Sequence, residues 1–295
     1  MTANLDRNPF HADFYADAAY QRRARILENV RIAHDTYRVR LECPEIARRI
    51  VPGQFIMLRL AGRNDPLLGR PLALYNVVYD EAGLPLAIDV VYLTLGKMTH
   101  RLASSVAGDE LDVWGPLGNG FPAVQTGHLI MVAGGIGQTP FLALGQEYLG
   151  LRSFGESPRT AEAMRVTLCY GVRTAAYLAG VSDFESAGIN IRLSSDDGTA
   201  GHHGLVTEVL GGLLTQTSAE DRHVMCCGPE PMMHAVAKLC RQTNTPCLVS
   251  LETPMACGIG ICFSCVTKVR QPDGGWDYKR TCVEGPIFEA EKIQW

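Results

Sequence analysis

The chain has 295 residues, which exceeds the usual size of one hydrophobic core, and a guide value of about 150 residues per domain predicts two or three domains. Its formal net charge of −4 is spread along the sequence, which excludes a basic stripe for nucleic acid and an acidic tail. No apolar run approaches the length of about 18 residues that a membrane span needs, and residues 1–20 lack the apolar core of a signal peptide, so we expect a soluble, unprocessed protein in the cytoplasm.

Residues 1–20 are polar and aromatic without a clear period, and they are predicted to form an N-terminal arm to which the sequence assigns no function. Residues 21–122 are predicted to form an antiparallel β-barrel, because short runs of mostly alternating apolar and polar residues are separated by turn residues. The predicted strands are 25–32, 37–41, 54–60, 74–79, 86–93 and 110–114.

Residues 123–245 are predicted to form an α/β domain with an open parallel sheet, because apolar runs alternate with segments of helical periodicity. The predicted strands are 128–133, 165–171, 190–193 and 223–229. A glycine-rich turn leads from the first of these strands into a helix predicted over 141–149. Residues 246–295 contain a cysteine motif and are predicted to form a small C-terminal domain.

Four of the ten cysteines have a diagnostic spacing. Cys257, Cys262 and Cys265 follow the pattern C-x4-C-x2-C, and Cys282 comes later, which is the plant-type ligand spacing of a [2Fe–2S] cluster. The alternative is a zinc site or a set of unrelated thiols. The remaining cysteines show no framework spacing and fit a reducing compartment; they are Cys43, Cys169, Cys226, Cys227, Cys240 and Cys247.

Two landmarks of the α/β domain lie at the carboxyl ends of predicted strands, the edge at which open α/β sheets bind ligands. Gly134, Gly135 and Gly137 stand between a strand and a helix, where backbone N–H groups attract a pyrophosphate. They lack the full G-x-G-x-x-G spacing, so close packing of strand and helix is an equally good explanation of this turn alone. Cys227 and Gly228 follow another strand and make a cofactor crevice at this edge the better interpretation.

In the barrel, Arg70 precedes Pro71 and the strand that follows, and an arginine can bind a phosphate with two hydrogen bonds. Gly96, Lys97 and Thr99 offer a second glycine turn with a cation and a hydroxyl. A surface arginine and a solvated loop are the respective alternatives, and neither feature decides between them.

Taken in order, the motifs resemble those of the ferredoxin-reductase superfamily, and within it the electron-transfer subunits of B-type dihydroorotate dehydrogenases. The resemblance covers about residues 23–290 and rests on RPLA at 70–73, GKMT at 96–99, GPLGNGF at 115–121, AGGIG at 133–137, DDGT at 196–199, CGPEPM at 227–232 and the cysteine quartet. It implies a barrel that binds FAD, an α/β domain that binds NAD(H) and a C-terminal domain that binds a [2Fe–2S] cluster.

The resemblance also implies a set of site residues. On the FAD side they are Arg70 at the pyrophosphate, the backbone of Pro71, Leu72 and Ala73 along the flavin, and Gly96, Lys97 and Thr99 at the other phosphate side. On the dinucleotide side they are Gly134, Gly135 and Gly137, with Cys227 and Gly228 near the nicotinamide ring. The cluster ligands are Cys257, Cys262, Cys265 and Cys282.

Two positions depart from the family pattern. Ala73 stands where the superfamily usually has Ser or Thr, so a hydroxyl bond to the flavin is missing. Pro254 is unexpected so close to the first cysteine of the quartet. The preference for NADH or NADPH stays open, because Asp196 and Asp197 would repel a 2′-phosphate whereas Arg173 would attract one.

The function implied by the resemblance is that of an electron-transfer subunit in pyrimidine biosynthesis. Electrons would pass from dihydroorotate through FMN of a separate catalytic subunit, the cluster and FAD to NAD⁺, within a heterotetramer. No residue of this chain is assigned an acid or base role, and His202-His203 is predicted to be loop surface.

Two alternatives remain at the level of the sequence. A subunit of a sulfhydrogenase or of a bifurcating ferredoxin–NADP reductase would use the same three modules, although the latter often has a carboxylate among its cluster ligands. A zinc-binding regulatory protein without catalytic function belongs to a different class and would be colourless.

Overall fold

The computed structural model describes residues 16–157, 159–216 and 221–295. Most of the predicted N-terminal arm lies outside these residues, and its described end is a short 3₁₀ helix, Ala16–Ala18. The predicted multi-domain architecture of a barrel, an open α/β sheet and a C-terminal cysteine segment is confirmed.

Six antiparallel strands close the barrel in the order β1-β2-β5-β4-β3-β6. They are β1 (Tyr20–Ala33), β2 (Thr36–Glu42), β3 (Phe55–Leu60), β4 (Arg70–Tyr79), β5 (Pro85–Leu93) and β6 (Glu110–Leu117). Two short helices, α1 (Pro44–Arg49) and α2 (Lys97–Ala103), connect strands. The barrel closes because inward-facing residues of all six strands, such as Val39, Ile56 and Val113, are fully buried in one core.

The second domain is a sheet of seven strands in the order β10-β9-β8-β7-β11-β12-β15, parallel except for the last. Its strands are β7 (Gln125–Gly134), β8 (Glu162–Val172), β9 (Asn190–Ser195), β10 (His202–His203), β11 (Arg222–Cys227), β12 (Cys247–Ser250) and β15 (Ile287–Glu289). The helices are α3 (Phe141–Tyr148), α4 (Val181–Ser186), α5 (Val206–Gln216) and α6 (Glu230–Gln242). Residues 129–133 of β7 are fully buried, as the apolar run predicts for a strand covered on both faces.

The C-terminal 50 residues contribute to two substructures. Within residues 246–295, which are predicted to form the C-terminal domain, β12 pairs with β11 and β15 pairs with β12, so both ends of this range extend the α/β sheet. The segment between them forms a separate hairpin of β13 (Val266–Arg270) and β14 (Trp276–Arg280), of which Val269 packs in the core of the sheet. The chain leaves the sheet and returns to it around the cysteine quartet.

Hydrogen bonds join the domains at separate places. In the barrel loop after β6, the Asn119 side chain donates to the Ile287 carbonyl at 2.8 Å and accepts from the Ile287 N–H at 3.1 Å, so that it imitates a strand partner of β15. On the other side, the Tyr75 hydroxyl of β4 donates to Asp183 Oδ2 of α4 at 2.6 Å. The barrel therefore holds a fixed orientation against the sheet.

Two further observations concern the whole described chain. Among the residues that the structure describes, no helix is both long enough and apolar enough to cross a bilayer. All ten cysteines lie among these residues and are free thiols.

His128 is a buried histidine near the amino end of β7. Its side chain is 6% exposed, and its Nε2 lies 2.8 Å from Thr167 Oγ1 of β8. Burial, together with the positive charges of Arg165 and Arg222, lowers the pKa of the imidazole from 6.5 to about 4. The folded state thus holds His128 neutral at a pH where the unfolded chain protonates it.

We predict that His128 makes the stability of the protein dependent on pH between about 6.5 and 4. The folded-state pKa is depressed, so this contribution is present above pH 6.5 and is lost as the pH falls, by up to roughly 3 kcal/mol over the window. Urea unfolding of the wild type and of His128→Leu at pH 7 and pH 5 measures it. His128→Leu should lose less stability on acidification, whereas the control His203→Leu, at an exposed histidine of β10, should follow the wild type. Equal pH slopes for wild type and His128→Leu would contradict the prediction.

Candidate functional site

A large cavity lies at the carboxyl edge of the parallel strands, between the sheet and the barrel. Its volume is about 780 Å³, which is in the range of small-molecule and cofactor sites. On the sheet side it is lined by Gly134, Gly135, Gly171, Gly228 and Pro229, and on the barrel side by Asp35, Thr36, Leu93 and Leu95. The cavity therefore lies at the carboxyl ends of the strands, where the sequence predicts the cofactor crevice.

The two glycine turns at this edge pack against each other. A Cβ added at Gly228 would lie 2.9 Å from the backbone nitrogen of Gly134, and one added at Gly137 would collide with the Cys227 carbonyl. Gly135 differs, because its φ of +54° is in the left-handed region and a Cβ there would meet open space. Gly134 and Gly137 thus serve close packing, whereas the backbone at Gly135 faces the cavity.

The remaining predicted residues of the dinucleotide site have different placements. Gly228 lines the cavity, whereas Cys227 lies behind the wall, 4% exposed, and burial raises the pKa of its thiol. Arg173 and Asp196 both line the cavity, at the ends of adjacent strands β8 and β9. Glu252, which the sequence did not single out, also lines the cavity, just after β12.

The predicted FAD segment forms the first residues of β4. Arg70 pairs in register with Leu58 of β3, and Ala73 pairs with Phe55, so Pro71 and Leu72 lie between these two fixed points. The Arg70 guanidinium donates to the carbonyls of Leu68 and Gly69 at 3.1 and 2.9 Å and has no ion pair with any residue that the structure describes. An arginine held this way keeps further N–H groups for an anionic ligand.

The second predicted FAD segment caps a helix. The Thr99 hydroxyl accepts from the backbone N–H groups of Leu95 and Gly96 at 3.0 and 3.1 Å, at the start of α2. Lys97 is ion-paired with Asp65, an exposed residue of the loop before β4. Because the Asp65 carboxylate already pairs with Lys97, the ammonium group of Lys97 is not fully available to a phosphate.

The four cysteines of the quartet lie in one segment and form two pairs. The sulfurs of Cys265 and Cys282 are 3.2 Å apart and buried, and Cys257 is within hydrogen-bonding range of Cys262, which is exposed. Among the described residues, no three His, Cys, Asp or Glu side chains converge as a single metal ion requires. The two pairs fit a [2Fe–2S] cluster, in which two irons share four cysteine ligands.

Local hydrogen bonds shift the pKa values of these thiols. Hydrogen bonds with Ser264 lower the pKa of Cys262 to about 6, and the hydrogen bond with Cys282 lowers that of Cys265 to about 6. The pKa of Cys282 is raised, first by its hydrogen bond to Cys265. Part of the quartet is thus stabilised as thiolate, the form in which cysteine binds metal.

The cysteine segment lies directly on the barrel. The Trp114 Nε1–H of β6 donates to the Cys257 carbonyl at 2.9 Å, and a Cβ at Gly258 would collide with Met57 of β3. Cys265 and Cys282 share a small apolar cluster with Phe55, Met57, Leu117 and Val283. The structure therefore brings the predicted cluster ligands next to β3, which pairs with the predicted FAD segment of β4, and next to β6 on the other side of β3.

Two residues of this region are not among those predicted from the sequence. Trp114 ends a predicted strand, and an indole beside a glycine-rich loop is a signal that its N–H needs a polar partner. Glu252 gave no signal beyond its position before the cysteine motif. His202, predicted to be surface, is exposed and lies 2.6 Å from Glu208 through its Nε2.

Three family models match consecutive parts of the chain. They are described as an oxidoreductase FAD-binding domain over residues 23–121, an oxidoreductase NAD-binding domain over 131–238 and an iron–sulfur cluster binding domain of dihydroorotate dehydrogenase B over 252–294. The chain thus carries FAD-binding, NAD-binding and iron–sulfur-binding modules of an oxidoreductase subunit.

Curated relatives match over nearly the whole chain. The electron transfer subunit of dihydroorotate dehydrogenase B (NAD(+)) from Caldanaerobacter subterraneus subsp. tengcongensis is 31% identical over 93% of this chain and 98% of its own. The subunit of the same name from Geobacillus kaustophilus is 34% identical over 89% of this chain and 94% of its own.

A solved structure is similar to this one throughout. It comes from work on the NADH-dependent reduced ferredoxin-NADP oxidoreductase and is 29% identical, with a TM-score of 0.76 over 92% of this chain and 90% of that chain. The sequence identity to the curated relatives, over about nine tenths of both chains, is sufficient to assign the family. The chain belongs to the family of dihydroorotate dehydrogenase B electron transfer subunits.

Proposed function

We propose that this chain relays electrons between an FMN-containing dihydroorotate dehydrogenase subunit and NAD⁺, as the names of its relatives indicate for those proteins. The observation that supports this most directly is the position of the cysteine quartet, which packs on the barrel on one side and has an exposed cysteine on the other. A site so placed faces a flavin strand inside the chain and a partner outside it. The cytoplasm is part of the proposal, since ten cysteines without a disulfide suit a reducing compartment.

The proposed FAD site is the start of β4 together with the turn before α2. Arg70 supplies charge-assisted hydrogen bonds to the pyrophosphate, and Pro71, Leu72 and Ala73 support the flavin through the backbone of a strand whose register is fixed by β3. Gly96 and Thr99 belong to the turn that approaches the FAD phosphates from the other side. Lys97 of the same turn is ion-paired with Asp65. Because Ala73 carries no hydroxyl, the flavin edge must be hydrogen-bonded by backbone or water at this point.

The proposed dinucleotide site is the cavity at the sheet edge. Gly135 exposes backbone to the pyrophosphate, and Gly228 allows the nicotinamide end to approach the turn after β11. Cys227 supports this wall from behind. Asp196 lines the cavity and favours NADH over NADPH, although Arg173 lies at the end of the neighbouring strand.

The proposed cluster ligands are Cys257, Cys262, Cys265 and Cys282, grouped in two pairs. When bound, FAD supplies the conversion between the two-electron hydride chemistry of NAD(H) and the one-electron chemistry of a [2Fe–2S] cluster. The protein holds the three binding segments on one rigid framework, and no side chain of the chain has to act as an acid or a base.

The proposed partner surface surrounds the exposed Cys262. Its neighbours Ile261 and Phe263 are 65% and 62% exposed, and apolar side chains of this size on a surface mark a protein interface when they cluster. A catalytic subunit that covers this surface brings its FMN close to the cluster, and two copies of each subunit give the proposed heterotetramer.

A second function is favoured by one comparison. The NADH-dependent reduced ferredoxin-NADP oxidoreductase chain matches over 92% of this chain, so a subunit of that kind of complex is the alternative. The all-cysteine quartet supports the dihydroorotate dehydrogenase assignment over this alternative.

Anaerobic co-expression with an FMN-containing dihydroorotate-oxidising subunit tests the function. We expect a yellow-brown complex that reduces NAD⁺ with dihydroorotate, whereas this chain alone should oxidise NADH with artificial acceptors only. A stable complex with a ferredoxin-dependent subunit and none with the dihydroorotate-oxidising subunit would contradict the proposal.

We predict that Cys282→Ser loses the cluster and keeps FAD, because the ligand belongs to the C-terminal segment and the FAD residues belong to the barrel. Iron content and the electron paramagnetic resonance signal of the reduced protein measure the cluster, and absorbance of the released flavin measures FAD. The matched control is Cys247→Ser, a half-buried thiol outside the quartet, which should keep both. Loss of FAD from folded Cys282→Ser protein would show that the two sites are not separate.

We predict that Arg70→Gln weakens FAD binding by about 10- to 100-fold, the value of a charge-assisted hydrogen bond. Titration of the apoprotein with FAD, followed by flavin fluorescence, gives the dissociation constants. Arg63→Gln, in the exposed loop before β4, is the control and should bind FAD as the wild type does. An unchanged dissociation constant in Arg70→Gln would remove Arg70 from the proposed site.

We predict that Ile261→Glu weakens binding of the catalytic subunit by at least about tenfold, because it places a charge at the centre of an apolar contact. The affinity is measured by titrating the purified catalytic subunit, and cluster content is verified first. Met164→Glu changes an 86% exposed apolar residue on β8, far along the chain from the quartet, and should bind normally. Equal affinities of both variants would place the interface elsewhere.

A further inference from the structure

Trp114 connects the two parts of the chain between which an electron has to pass. Its Nε1–H donates to the carbonyl of Cys257, the first cysteine of the quartet, at 2.9 Å. The opposite edge of the indole faces Gly69, where an added Cβ would lie only 2.8 Å from Trp114 Cη2. Gly69 immediately precedes Arg70 and the proposed flavin strand.

We propose that Trp114 is a positioning residue, which holds the cysteine loop at a fixed separation from the flavin-binding start of β4. This inference rests on the proposed function, because it takes Arg70 to Ala73 as the FAD site and the quartet as the cluster site. It goes beyond that function by assigning the coupling of the two sites to one side chain.

The surroundings of Trp114 limit its freedom to move. The residue pairs in register with Met57 of β3 and Gln21 of β1, so its backbone is held from both sides within the closed barrel. The ring packs in the small apolar cluster that also contains Cys265 and Cys282. A rigid aromatic side chain with two torsions loses little freedom when it is fixed in this way.

The hydrogen bond acts on the loop at its first cysteine, beside apolar contacts with the barrel. Met255 and Ile259 pack on the small apolar cluster to which Phe55 and Met57 belong, and Gly258 leaves no room for a Cβ beside Met57. These apolar contacts hold the loop on the barrel, and the directional hydrogen bond to the Cys257 carbonyl fixes the position of this residue. Loss of the indole N–H removes the hydrogen bond and leaves the apolar contacts.

The consequence concerns the rate of electron transfer rather than the binding of either group. A misplacement of the loop by about 1 Å alters the separation of the two centres, and positioning errors of this size can cost up to about 100-fold in rate. The NAD-binding cavity is at the sheet edge and does not include Trp114 among its lining residues, so reduction of the flavin by NADH is not affected by the change.

Trp114→Phe tests the proposal, since it keeps an aromatic ring and removes the N–H donor. The holoprotein is mixed rapidly with NADH under anaerobic conditions; flavin reduction is followed by absorbance and cluster reduction by freeze-quench paramagnetic resonance. We expect unchanged FAD content and flavin reduction, cluster reduction slower by at least about fivefold, and iron release to a chelator faster by about fivefold, the factor that one hydrogen bond is worth.

The matched control is Trp295→Phe. Trp295 is also partly buried and donates its Nε1–H to a backbone carbonyl, that of Ala290 at 3.3 Å, but it packs on the core of the α/β sheet and not on the cluster that contains Cys265 and Cys282. This variant should match the wild type in all three measurements. A second perturbation, Gly69→Ala, pushes the indole from its other edge, which keeps the test valid if Trp114→Phe does not fold. Because the Gly69 carbonyl also binds Arg70, cluster reduction in this variant is compared with its own FAD content and rate of flavin reduction, and the ratio of the two rates should fall.

The outcomes separate the inference from the function on which it depends. Wild-type protein without flavin or without a paramagnetic cluster signal would defeat the proposed function itself. Wild-type protein with both groups, and unaltered cluster reduction in Trp114→Phe and Gly69→Ala, would overturn the role of Trp114 alone. Equal slowing of flavin and cluster reduction would also overturn it, because a general loss of structure has that effect.

Discussion

The packing of the cysteine segment onto the outside of the barrel is the constraint on which the rest of the molecule depends. Asn119 of the barrel loop exchanges two hydrogen bonds with Ile287, and Trp114 binds the Cys257 carbonyl, so the segment is held at its end and at its beginning. The same segment enters from β12 and leaves through β15, both strands of the α/β sheet. One stretch of chain thus ties the barrel, the sheet and the quartet into a single body.

This arrangement suits the relay of electrons between bound groups. Transfer of electrons between bound groups depends on their separation and environment, and a rigid body supplies both. The Tyr75 to Asp183 hydrogen bond closes another side of the domain junction. The cavity at the sheet edge and the cysteine segment are therefore held on the same barrel by different contacts.

Much of the fold could be predicted because it rests on local patterns. The alternation over 37–41 and 86–93 corresponds to β2 and β5, and the apolar run 128–133 is the buried part of β7. The ends of the sheet could not be predicted: β12 and β15 are short, lie on either side of a segment rich in cysteine and turn residues, and gain their identity only by pairing with β11 and with each other. The roles of Gly134 and Gly137 were similarly hidden, since close packing and ligand binding both require glycine.

The sequence by itself determined the chemistry, because the spacing of Cys257, Cys262, Cys265 and Cys282 and the ordered glycine motifs depend on residues close together in the chain. The tertiary structure alone decided which of these residues meet. Gly228 meets Gly134 across 94 residues, Trp114 meets Cys257 across 143, and Cys227 is turned behind the cavity wall that Gly228 lines. Such contacts are set by strand order and register, and no local spacing contains that information.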